Sequence, residues 1–124
     1  MIVPISPRAL SQREGAILLK LLAEPFAGAS GLRAQIPYTL VVAHWSEMSP
    51  SVDLDIRPGI ASAGPIHGII PVVSEVRDES GSYVGEIIIW ATHGYLSGIE
   101  YAVVVDDRPR VLPDPQNVEV RLAR

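Results

Sequence analysis

Glu100 sits inside an apolar run, flanked by Ile99 and Tyr101. A carboxylate in such a setting needs a partner, because an unpaired buried charge is costly. Arg33, or a loop arginine such as Arg57, supplies one, and a structural ion pair is the plainer reading. The sharper reading is a ligand site lined by Glu100, Arg33, His44 and His67. Glu75 and Glu86, with Ser74 and Tyr101 nearby, form a second grouping. Two close carboxylates raise one pKa and can do acid–base work. Arg77 on the same strand face relieves that repulsion, which favours a structural role. His44, Glu47, Asp53 and Asp55 are the most metal-like set. Imidazole and carboxylate bind zinc or manganese when they converge. Their spacing matches no ligand motif, so a solvated strand and loop is expected, with no metal and no cofactor. His93 and His67 stand alone. Trp45 and Trp90 lie away from basic residues and read as core or interface anchors.

The strongest scaffold signal is Gly85 to Val105, where two β-branched runs flank a His93-Gly94 turn. A glycine at such a turn supplies the positive φ that joins antiparallel strands. Tyr83–Thr92 pairs backward with Ile69–Arg77 through the turn at Asp78–Gly81. Two-residue turns at Ser80-Gly81 and His93-Gly94 set an expected register. Glu75 then neighbours Glu86, Tyr101 lies opposite Glu86, and Glu100 faces Ile87. Both sheet faces are apolar near the middle, so each needs a cover: the helix on one, loops or a second copy on the other.

Ser11 and Glu14 make a capping box ahead of a helix over residues 12–24, with Ile17, Leu18, Leu21 and Leu22 on its buried face. Pro25 ends it. Residues 1–10 read as a proline-punctuated lead-in, and residues 26–35 as ambiguous, with Ser30 capping a short helical turn. Tyr38–Ala43 and Ser51–Ile56 read as strands, the second alternating cleanly. Residues 57–68 form a glycine- and proline-rich loop. Val118, Val120 and Leu122 alternate with Glu119 and Arg121 in a carboxy-terminal edge strand.

The chain has 124 residues, 48% of them hydrophobic and 19% charged, with a net charge of −4. That length suits one domain spanning 1–124. The ten Lys and Arg residues are scattered, and Lys20 is the single lysine. Nucleic-acid binding is therefore disfavoured, since it usually needs a basic stripe. Cysteine is absent, which excludes thiolate catalysis, disulfides and cysteine-ligated metals. There is no nucleophile elbow and no glycine-rich phosphate loop. No secretion signal or membrane-length apolar run is visible, so a cytoplasmic location without membrane contact is expected.

The stretches Ser11–Glu14, Gly31–Gln35, Ser51–Leu54 and Leu96–Glu100 resemble those of a family of small uncharacterised bacterial proteins, best represented in actinobacteria. The resemblance covers most of the chain. Relatives tend to be cysteine-rich before the serine-valine-aspartate element, where this chain has His44 to Met48. The resemblance implies a lineage and a fold, and no mechanism. A loose analogy of size and composition links such proteins to the immunity partners of bacterial toxins.

The expected architecture is α+β, a mostly antiparallel sheet of about five or six strands with one N-terminal helix packed on one face. The expected function is a non-enzymatic protein-interaction domain, self-associating as a homodimer or immunity-like. The alternative is a small-molecule binder or enzyme with its site under the 57–68 loop.

Overall fold

A computed structural model describes residues 1–123. The chain is α+β and mostly antiparallel, but its sheet has eight strands, more than the five or six expected. The strands are β1 (Val3–Ala9), β2 (Thr39–His44), β3 (Val52–Ile56), β4 (Gly68–Ile69), β5 (Val72–Arg77), β6 (Tyr83–Thr92), β7 (Tyr95–Val103) and β8 (Val118–Leu122). Their spatial order is β1-β2-β3-β7-β6-β5-β8, with β4 also pairing to β6. The added strands come from two places. Residues 3–9 pair with β2 despite Pro4 and Pro7, because an edge strand tolerates missing donors. Pro71 divides the 69–77 run into β4 and β5, and both halves pair with β6.

Two helices, not one, cover a single face of the sheet. Helix α1 (Gln12–Leu22) begins with the full capping box: Ser11 Oγ accepts from the Glu14 amide, and Glu14 accepts from the Ser11 amide at 2.8 Å. Its buried residues Ile17, Leu18, Leu21 and Leu22 join the core with Val41, Val52, Leu54, Ile87, Ile89, Leu96 and Ile99. Helix α2 (Ala29–Gln35) is capped by Gly28 instead of Ser30, with no side-chain bond at its start. The 57–67 segment packs beside it, where the Ala63 amide donates to the Gly94 carbonyl and the Gly94 amide to that of Ile66.

Arg8 of β1 grips α1 through both Glu14 oxygens, at 2.9 and 3.0 Å. Burial pushes the Glu14 carboxyl up, but the bonds from Arg8 and Ser11 outweigh it and hold the group below its ordinary value. A carboxyl lowered on folding stabilises the fold above its unfolded value, and the gain is lost as pH falls through the folded one. Glu14→Gln keeps the shape and removes the charge. It should cost about 1 kcal/mol at neutral pH. Wild type and variant should converge as the pH drops below about 4. Thermal midpoints of the two proteins across that range check this; a gap independent of pH would contradict it.

The β6–β7 register differs from the expected one by a single bulge. Thr92 pairs with Tyr95 and Ala91 with Leu96, but Trp90 pairs with Gly98 and Ile88 with Glu100. Ser97 is the extra residue. The bulge lets Leu96 and Ile99, three apart, both point to the core. It also corrects two expectations. Glu100 lies opposite Ile88, not Ile87, and Glu86 faces Ala102, not Tyr101. The expected Glu75–Glu86 pair is present.

Candidate functional site

The face of the sheet away from the helices carries the most concentrated chemistry. Paired residues in an antiparallel ladder share a face, so the pairings assign it. Glu119, Glu75, Glu86 and Ala102 form one row across four strands. Ile88 and Glu100 form part of the next, and Trp90, Gly98 and Asp53 part of a third. Leu40 and Asp55 continue the face toward β1. Its cations are Arg77, Arg121 and Arg57, whose amide donates to the Tyr38 carbonyl and carries the β2–β3 ladder past Asp55. Buried residues alternate with half-buried ones along β6, which is the pattern of a strand with one covered and one open face. The cover expected on this second face from loops is confined to one end, where the Ile60 carbonyl accepts from the Tyr95 hydroxyl; residues 61–66 and the segment holding Leu112 pack on the helical side.

Each tryptophan of the chain holds one carboxylate of this face. The Trp90 indole N–H donates to Glu100 at 3.0 Å, and the Trp45 indole N–H to Asp53 at 2.9 Å. The ladder explains the first bond. Trp90 sits opposite Gly98, and Glu100 is the diagonal neighbour two residues on. A side chain at Gly98 would touch the indole, with Trp90 Cδ1 at 3.6 Å from its Cβ, so the ring leans across bare backbone to reach the acid. Glu100 is therefore neither a buried acid nor an arginine's partner. Tyr83 lies at the edge of the same face, under the Arg77 guanidinium at 5.9 Å. Desolvation, and then the charges of Glu86 and Glu75, push its hydroxyl pKa up against the opposing pull of Arg77.

The four residues expected to line a ligand site are not brought together. Arg33 donates to the Leu22 carbonyl and closes the end of α1. His44, beyond the bulge in β2, turns to the helical side and accompanies Glu14, Arg13, Arg110 and Leu112 around a groove of about 400 Å³. His67 is exposed beside His93, with ring centroids 4.7 Å apart, and its Nδ1 accepts from the His93 amide. A groove of about 470 Å³ does lie under residues 57–60, lined by Asp55, Arg57, Thr92, Tyr95 and Ser97 among others. None of Glu100, Arg33, His44 or His67 reaches it. The set His44, Glu47, Asp53 and Asp55 does not converge either, since Asp53 is on the opposite face from His44. Among the described residues no group of three or more His, Asp or Glu side chains is placed to hold a metal ion.

Comparison of the chain with protein-family models, with curated proteins and with solved structures finds no match. No helix among the described residues is long and apolar enough to cross a membrane.

The sequence missed the face as a whole because its members come from six strands and share no local spacing. The Glu75–Glu86 pair is visible in it, but Trp90 and Glu100, ten residues apart, meet only when the bulge is known.

Proposed function

We propose that this protein is a non-enzymatic protein-interaction domain that docks a cationic partner on the open face of its sheet. The observation that carries the reading is the pairing of both tryptophans with carboxylates on a face where six acids, Asp53, Asp55, Glu75, Glu86, Glu100 and Glu119, outnumber three arginines, Arg57, Arg77 and Arg121. Aromatic anchors with a satisfied polar tip suit an interface core, and the surrounding acids steer an oppositely charged surface to it. The phosphate-binding surface of a nuclease is one partner of that chemistry, which fits an immunity-like role.

Both tryptophans of the chain are on this face, so their emission reports directly on it. Titration with an oligo-arginine peptide should shift or quench it, and added salt should reverse the change. An oligo-glutamate peptide should do nothing. Trp90→Phe removes the N–H that holds Glu100; it should cost about 1 kcal/mol of stability and weaken peptide binding. Equal responses to the two peptides, or none to either, would count against the reading.

A further inference from the structure

Strand β8 has a neighbour on one side only. The Ala123 amide donates to the Pro71 carbonyl at 2.9 Å, which fixes the phase of the β5–β8 ladder. By the alternation of antiparallel pairs, Arg121 and Glu119 turn their backbone groups to β5, and Val118, Val120 and Leu122 turn theirs outward. The Val118 amide is already taken by the Pro115 carbonyl. What remains on the edge is the Val118 carbonyl and both backbone groups of Val120 and Leu122.

The other edge of the sheet is defended. Pro4 and Pro7 remove donors from β1, and its pairing breaks between Pro4 and Arg8. Strand β8 carries no proline, no lysine and no bulge across its five residues. Its sequence, Val-Glu-Val-Arg-Leu, is also charge-complementary to itself about Val120.

We propose that the protein forms a two-fold homodimer by antiparallel pairing of β8 with β8 of a second copy, centred on Val120. In that register Glu119 of each copy lies opposite Arg121 of the other. These are non-hydrogen-bonded positions, where facing side chains are closest. Val120 exchanges two backbone bonds with its mate, and each Leu122 amide donates to the Val118 carbonyl across the axis. The exposed Leu122 side chain comes to rest beside Val118 of the other copy, on the helical side. A register centred on Glu119 or Arg121 would set like charges face to face, and a parallel pairing would do the same. The charges therefore select one alignment.

A second feature fits the same partner. Glu119, Glu75 and Glu86 form a continuous row, and the one ion pair among the described residues is Arg8–Glu14, far from it. Arg121 of the second copy brings a cation to the end of that row. The dimer would join two sheets into one and continue the open face across the axis, but the inference does not depend on what that face binds.

The test is the molar mass of the full chain by sedimentation equilibrium up to about 100 µM, where a weak dimer is populated by mass action. The wild type should be a dimer. Arg121→Glu should weaken it by at least about tenfold. The double variant Glu119→Arg, Arg121→Glu should restore it, because the swapped charges still face each other. Val120→Pro removes an outward amide that the monomer does not use, and should leave a folded monomer. A monomeric wild type, or a dimer indifferent to both the charge reversal and Val120→Pro, would overturn the proposal. If Val120→Pro fails to fold, the loss and rescue by the charge pair decides alone.

Discussion

Gln35→Ala lowers the unfolding free energy by about 3–5 kcal/mol, a large share of what a domain of this size holds. Gln35 has no exposed surface. Its Nε2 donates to the Gly94 carbonyl at 2.8 Å and to that of Ala61 at 3.2 Å, and its Oε1 accepts from the Leu96 amide at 3.0 Å. One side chain on α2 thus ties the 57–67 segment and the β6–β7 turn together. Truncation leaves the Leu96 amide buried without a partner and opens a small void, and both add to the loss. Urea unfolding measures it, with an unchanged slope expected. A loss under about 1 kcal/mol would mean that water or a neighbour replaces the amide, and that the tie is dispensable.

Gly94→Ala should cost about 3 kcal/mol or more, from two sources. Gly94 has φ 83°, where a side chain is strained. An added Cβ would also fall 2.0 Å from Ser62 Oγ and 2.4 Å from the Gly64 carbonyl. The serine can rotate away; the backbone carbonyl can move only with its loop. Gly81→Ala separates the two costs. Gly81 has φ 87° but open space around its would-be Cβ, so the strain alone applies and about 1 kcal/mol is expected. Urea unfolding of both variants makes the comparison, and hydrogen exchange should show the Ala63 and Gly94 amides losing protection in Gly94→Ala alone. Equal costs at the two glycines would show that the 62–64 segment yields freely. Because Gln35 bonds to the Gly94 carbonyl, the double variant should lose less than the sum of the singles.

These two residues bear on the open face through the ladder. They hold the turn from which β7 departs, and the bulge at Ser97 follows within four residues of it. That bulge puts Glu100 on the open face and Ile99 in the core.

Much of this fold is written locally in the sequence. Ser11 and Glu14 announce α1, and the spacing of Ile17, Leu18, Leu21 and Leu22 gives its buried face. The β-branched runs around His93-Gly94 give β6 and β7, and alternation gives β3 and β8. What escaped is what tertiary contacts decide. Pro4 and Pro7 argue against a strand unless that strand is known to be at an edge. Helix α2 is too short for a helical period to show, and Gln35 within it looks like any polar surface residue. The bulge left one trace, the three-residue interval between Leu96 and Ile99, which breaks strict alternation. Without it Glu100 falls on the wrong face. The candidate site is less legible than the fold for the same reason, since Trp45, Asp53, Trp90 and Glu100 share no motif and meet only across strands.

The central claim, that the open face docks a cationic protein, is tested most directly by photo-cross-linking in extract of the cells that make the protein. A photoreactive residue replaces Ile88, at the centre of the face, or Leu19, exposed on α1. The account predicts one dominant adduct with a basic protein from position 88 and none from position 19. That adduct should vanish when Glu75→Lys and Glu86→Lys are introduced together. No adduct from position 88, or the same adducts from both positions, would contradict it.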